Sequence, residues 1–247
     1  MKAVILAAGY ATRLYPLTEN KPKCLLTVGG RTILDSLIAK IDGIGDCDEI
    51  LIVTNAKFFE QLNAWKKTAR VRAPLRVLND GTVSNETRLG AIGDLGLVLR
   101  TANVCADVLM LASDNLFDED LDAFVRFAKE KKDGVCTAVY DLKDPKLAAK
   151  KYGVFETDRA GRALSIEEKP ENPKTSLIGM GVYYFSQASL AFVAEYLADK
   201  NAKDAPGHYI RWLSERLSVF CFTFQGMWYD IGDLNALEEA NRLFKAK

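Results

Sequence analysis

Histidine is almost missing from this chain: the 247 residues contain one, His208. Nucleophilic mechanisms that activate serine or cysteine need an imidazole partner, and His208 follows Pro206-Gly207 in a turn with no nucleophile elbow near it. It reads as a surface or helix-start residue. Cysteine is sparse too. Cys24, Cys47, Cys105, Cys136 and Cys221 are scattered, odd in number and without a CxxC pair, which argues against a zinc site or a disulfide framework. Neither charge sign dominates, with 33 basic against 33 acidic residues, so no global field recruits nucleic acid or a membrane surface. No apolar run approaches the roughly 18 residues a bilayer span needs, and no charged n-region precedes an apolar segment at the start. Internal repeats, low-complexity tracts and long linkers are lacking. Two phosphate fingerprints are absent as well. There is no Gly-Lys dipeptide, which excludes a Walker A loop, and no GxGxxG follows a strand. The expectation is a cytoplasmic protein with reduced thiols, partnered by small molecules and by neither nucleic acid nor membrane.

What is present begins with "MKAVILAAGYATRLYPLTENKPK". Ala3–Leu6 is continuously apolar with branched Val4 and Ile5, the pattern of a strand buried on both faces. Ala7, Ala8 and Gly9 then leave almost no side chain at its carboxyl end, where open α/β sheets bind ligands. Arg13 and Lys23 follow on the same loop. Naked backbone with two cations suits a polyphosphate.

Further along, the spacing of Ile33, Leu34, Leu37, Ile38 and Ile41 is helical, and "EILIVT" at 49–54 reads as a strand. A helix near 58–69, a strand at 75–78, a helix at 86–99, a strand at 107–111, a helix at 121–131 and a strand at 134–140 continue the alternation. That spacing predicts βαβ units and a mainly parallel sheet covered on both faces. Strand-like segments at 152–157, 163–167 and 178–185, joined by polar turns such as "DRAGR", predict an antiparallel extension or lid. Helices at 188–197 and 209–217, a strand at 219–224 and a closing helix at 234–244 complete a single domain, 1–247. Trp65, Trp212 and "FCFTF" read as core.

"LAAGYATRLYPLTENKPKCLLTVGGRTIL" resembles the signature of the sugar-phosphate nucleotidyltransferases. The resemblance continues, in the family's order, through "ASDN" at 112–115, "YGVF" at 152–155, "EEKPENP" at 167–173, "GVYYF" at 181–185 and "WYDIGD" at 228–233. It implies a Rossmann-like three-layer α/β/α fold with a mostly parallel mixed sheet and a small antiparallel lid, its nucleotide half about 1–140 and its sugar half about 141–247. Two departures stand out. Ala11 replaces a loop glycine, and "NDGTVSNETRLGAIGD" does not follow the thymidylyl- or uridylyltransferase pattern, so the base stays open.

The implied reaction joins a nucleoside triphosphate to a sugar 1-phosphate and releases pyrophosphate. Its nucleophile is already an anion, so catalysis reduces to in-line positioning and charge neutralisation. Leu6, Ala7, Ala8 and Gly9 would cradle the nucleotide, Arg13 would hold the leaving phosphates, and Lys23 would bridge the α-phosphate and the attacking phosphate. Asp114 and Asp230, both at strand ends, would hold Mg²⁺ against the phosphates, with Asp233 a third candidate or a helix cap. Gly81, Thr82, Ser84 and Asn85 offer groups suited to a base edge, or alternatively Ser84 and Asn85 cap a helix starting at Glu86. By the same resemblance Glu168 would bind sugar hydroxyls and Lys169 the sugar phosphate, while Gly153 and Gly179 would let the sugar lie against backbone. Alternatives are a cytidylyltransferase acting on a small phospho-alcohol such as phosphocholine, or a non-catalytic nucleotide-sugar-binding regulator. Assembly into a homo-oligomer is compatible with any of these. The chain's end soon after "WYDIGD" leads to the expectation of no appended acyltransferase domain.

Overall fold

The computed structural model describes residues 1–132, 134–199 and 203–244. The chain runs β1 (Lys2–Leu6), the hairpin β2 (Thr27–Val28) and β3 (Arg31–Thr32), α1 (Ile33–Ile44), β4 (Glu49–Thr54), α2 (Phe59–Lys66), β5 (Leu75–Asn79) and α3 (Ala91–Thr101). Then come β6 (Val108–Ala112), β7 (Asn115–Phe117), α4 (Asp122–Glu130), β8 (Val135–Asp141), β9 (Gly153–Thr157), β10 (Ala163–Glu168) and β11 (Leu177–Phe185). The last part holds α5 (Ala191–Ala198), α6 (Pro206–Ser214), β12 (Val219–Phe224), β13 (Trp228–Asp230) and α7 (Leu234–Leu243).

β1 is parallel to β4 on one side and to β6 on the other, and β5 extends the sheet from β4. β11 pairs antiparallel with both β6 and β8, and β12 adds in parallel to β8. The mostly parallel mixed sheet that the family resemblance implied is therefore present. β11, however, which the sequence pattern places in the extension, lies in the middle of the main sheet. Only its beginning belongs to the extension, where Ile178 faces Val154 of the antiparallel β9–β10 arm.

Alternate side chains of the strands feed opposite faces, as the period of two requires. Ala3, Ile5, Ile50, Ile52, Leu109 and Leu111 pack with α1, α2 and α4. Val4, Leu51, Val53, Val108 and Met110 pack with α3, α5 and α6. Three layers result. α1 starts where the Thr32 hydroxyl accepts from the Asp35 amide at 3.0 Å and ends at Gly45 in the left-handed region.

Three helix starts differ from expectation, α5 because residues Ala188–Leu190 form a 3₁₀ turn ahead of its start at Ala191. α3 begins at Ala91 rather than Glu86, because Gly90 has φ +78° and residues 84–87 close a turn through the Thr87 amide and the Ser84 carbonyl. Ser84 and Asn85 thus cap no helix. α6 begins at Pro206 rather than Tyr209, since proline's fixed φ suits the first helical turn. The short pairings β2–β3 and β7–β13 carried too few residues to show a period.

Candidate active site

A cavity of about 460 Å³ opens at the carboxyl ends of β1 and β6, where Leu6 and Ala112 end their strands. Leu6, Ala7, Ala8 and Gly9 line it, with Arg13, Lys23, Asp114 and Asp230, and so do Gly153, Glu168, Lys169 and Gly179. Gly81, Thr82, Ser84 and Asn85 do not border it. Gly81 donates to the Asn79 side chain, Thr82 is bound to Asp80, and the Asn85 carbonyl accepts from Arg88 at 3.0 Å.

The loop that follows β1 is held from outside. The Thr54 hydroxyl donates to the Ala7 carbonyl at 3.1 Å and the Asn55 amide to that of Ala8 at 2.9 Å. Ala11 adopts φ +48°, the left-handed region that a glycine enters freely. The Thr18 hydroxyl binds its carbonyl at 2.8 Å, and that carbonyl also starts the 3₁₀ turn Thr12–Leu14 carrying Arg13. A second 3₁₀ turn, Lys23–Leu25, follows Pro22 and presents Lys23, whose ammonium meets Asp114 Oδ2 at 2.8 Å.

Asp114 and Asp230 come together through the β7–β13 pairing. Asp230 lies opposite Asn115, the Ile231 amide donates to the Asp114 carbonyl at 2.9 Å, and the Trp228 indole N–H donates to Asn115 Oδ1 at 2.8 Å. Burial and the neighbouring Asp114 charge raise the Asp230 carboxyl to about 6, against the pull of Lys23 and Arg13. Gly232 leaves room here: a Cβ on it would sit 3.5 Å from Asp230 Oδ2 and 3.8 Å from the Arg13 guanidinium nitrogens. Asp233 instead caps α7, accepting from the Ala236 amide at 2.9 Å.

Asp230, raised by burial and by the Asp114 charge beside it, forms with Asp114 a pair of hard oxygen donors, which fits a divalent cation such as Mg²⁺. Among the described residues no group of three or more His, Cys, Asp or Glu side chains forms a closed cage. A metal here would draw its other ligands from phosphate and water, as Mg²⁺ commonly does.

At the other end, the Glu168 side chain is 9 % exposed. A Cβ on Gly207 would overlap its Oε2, and one on Gly153 would come within 2.9 Å of it, so both glycines make room for the carboxylate. Burial pushes this carboxyl up, offset by Lys169 and His208. Lys169 itself has φ +48° and its amide donates to the Tyr152 carbonyl at 3.1 Å. At Gly179 a Cβ would stand 3.0 Å from the Phe155 ring, which already fills that space. His208 is exposed in the first turn of α6.

Several lining residues lay outside the sequence reading: Arg88, Asp94, Asp204, Tyr152, Tyr183 and Trp228. Arg88 grips Asp204 with two hydrogen bonds, 3.0 and 2.9 Å. The backbone carbonyls of Asp204 and Lys203 accept from the Ala91 and Ile92 amides, so this segment caps α3. Tyr152, Tyr183 and Trp228 fall inside the quoted motifs without having been singled out, Arg88 and Asp94 fall inside "NDGTVSNETRLGAIGD", and Asp204 left no trace in sequence.

The chain is 27% identical over 244 residues to the bifunctional protein GlmU of Methanocaldococcus jannaschii, covering 98% of this chain and 54% of that one. It is 27% identical to a provisionally named mannose-1-phosphate guanyltransferase of Sulfolobus acidocaldarius, over 94% of this chain and 60% of the relative. The chain thus spans about half the length of the curated relatives it matches. A solved structure from Bacillus anthracis, provisionally named a glucose-1-phosphate thymidylyltransferase and determined with sucrose, superposes with a TM-score of 0.79. Its identity is 24%, with 100% of this chain and 96% of that one covered, and it shares the fold. The family model for nucleotidyl transferases matches residues 2–247, and the chain belongs to that family.

Proposed function

We propose that this protein transfers a nucleotidyl group from a nucleoside triphosphate to a sugar 1-phosphate, releasing pyrophosphate. The observation that carries the reading is one cavity with two unlike ends: Arg13, Lys23 and the Asp114–Asp230 pair at one, Glu168 and Lys169 at the other. The first end neutralises a polyphosphate, and the second offers a buried acceptor and a cation to a phosphorylated polyol.

In this reading the backbone of Ala7, Ala8 and Gly9 holds phosphate oxygens. The Arg13 fork binds the leaving pyrophosphate as its charge grows. Lys23 draws the acceptor phosphate toward the α-phosphorus and stabilises the negative charge shared by the two groups. No side chain needs to remove a proton from the nucleophile. Asp114 and Asp230 would hold Mg²⁺, which when bound supplies further neutralisation of phosphate charge.

A second reading, a phosphocholine-type acceptor, draws support from the rings of Tyr152, Phe155, Tyr183 and Trp228 around the cavity. Pyrophosphate release from five nucleoside triphosphates, each offered sugar 1-phosphates and phosphocholine with Mg²⁺, separates the two. Turnover confined to phosphocholine would replace the sugar reading, and turnover with no acceptor would favour a binding protein.

A further inference from the structure

Asp94 lies in the first turn of α3 between Ile92 and Leu95, both fully buried, and is itself 5 % exposed. Among the described residues its Oδ1 has no hydrogen-bond partner. A buried carboxyl oxygen left alone costs stability that nothing in the helix returns. Yet Asp94 lines the cavity together with Ala8, Gly9, Gly90 and Ala91. An unsatisfied acceptor on the wall of a binding cavity points to a ligand group that satisfies it.

Which group follows from its neighbour. Asp80, 9 % exposed, accepts from the Thr82 amide at 2.7 Å and from the Thr82 hydroxyl at 2.8 and 2.9 Å. Burial, the Asp80 charge and a hydrogen bond to Asp80 raise the Asp94 carboxyl to about 8. Whether ionised or protonated toward Asp80, Asp94 keeps its unpartnered Oδ1, which can only accept.

We propose that Asp94 is a base-selecting residue, whose remaining oxygen accepts a hydrogen bond from an exocyclic amino group and so favours cytosine, adenine or guanine nucleotides over uracil and thymine. The proposal rests on reading the cavity as a nucleoside triphosphate site. A pyrimidine that carries a carbonyl where cytosine carries its amino group sets acceptor against acceptor and leaves both unpaired.

Calorimetric titration of the whole chain with ATP, CTP, GTP, UTP and dTTP, with Mg²⁺ and without acceptor, tests this. The tightest binder is expected to be an amino-bearing nucleotide, about tenfold or more above UTP and dTTP. Asp94→Leu, which removes the acceptor, is expected to erase most of that preference. Asp94→Asn is expected to retain it, because an amide can donate to Asp80 and still accept through its carbonyl. UTP or dTTP as the tightest ligand, equal binding of all five, or a preference that survives Asp94→Leu overturns the proposal. The wild-type panel alone can overturn it, so it does not depend on the folding of a variant. Amino-base preference in binding with no pyrophosphate released from any acceptor would uphold the selector and reject the transferase. A chain that binds none of the five rejects both.

Discussion

In the proposed reaction Lys23 and Arg13 would act through charge that matters most in the transition state. Removing one such partner typically lowers kcat about 10²–10³-fold. Lys23→Ala and Arg13→Ala are each expected to show that loss, with circular dichroism unchanged; full turnover in either folded variant would reject the phosphate-loop assignment. Cys24, next to Lys23, is 1 % exposed and its thiol is pushed up to about 12 by burial. It stays protonated and inert, so Cys24→Ser is expected to keep wild-type turnover in a steady-state assay. Asp94 makes a different statement, about stability. Its folded carboxyl is raised from 3.8 to about 8, with Asp80 and Asp204 as the charged groups facing it. A raised acid binds its proton in the folded chain and releases it in the unfolded one, so this site's contribution falls as pH climbs from about 4 to 8. Relative to wild type, the Tm of Asp94→Leu is therefore expected to gain with pH across that window, at roughly 2–4 °C per kcal/mol. A constant Tm difference would mean that Asp94 is ionised throughout.

Among the elements, α3 shows how backbone conformation sets a boundary. Gly90 has φ +78°, and a Cβ on it would stand 2.7 Å from the carbonyl carbon of Lys203. Gly90→Ala is expected to cost about 1–3 kcal/mol and lower Tm by several degrees in thermal unfolding, because strain and overlap coincide. The same helix shows where the sequence stopped being legible. Strand β4 was readable to the residue, since "EILIVT" is apolar and bounded by charge and a turn. The start of α3 was not, because Glu86, Thr87 and Arg88 fit a helix locally and the cap comes from Lys203 and Asp204, more than a hundred residues away. β7 and β13 escaped for a related reason. Three residues give no period, and the pairing exists only in the folded chain. That the loop after β1, the two aspartates and the Glu168–Lys169 pair belong together was legible because each sits in a contiguous motif, and all of them line the one cavity. Arg88 and Asp204 reach the cavity only through tertiary packing.

For the molecule as a whole, the cavity's two ends should separate in kinetics. Glu168→Ala is expected to raise KM for the sugar phosphate about tenfold or more and leave that for the nucleotide near wild type, read with each substrate varied at saturating partner. Asn85→Ala, whose residue does not border the cavity, is expected to leave nucleotide KM unchanged. A nucleotide KM that rises with Asn85→Ala would bring the 81–85 turn back as a base contact. EDTA is expected to abolish turnover and added Mg²⁺ to restore it, with Asp114→Asn needing more metal; activity that survives chelation would contradict the carboxylate-pair reading.

The strand pairing that seats Asp230 beside Asp114 has a bearing on synthesis. Trp228 and Asn115, which clasp each other across that pairing, are 113 residues apart in the chain. At ribosomal rates of roughly 5–20 residues per second, Asp114 waits on the order of 5–25 s for its partner to be made. During that interval the nascent chain already contains the loop after β1, Lys23 and Asp114, but it cannot contain the second carboxylate. The carboxylate pair is therefore among the last features of the cavity to be assembled.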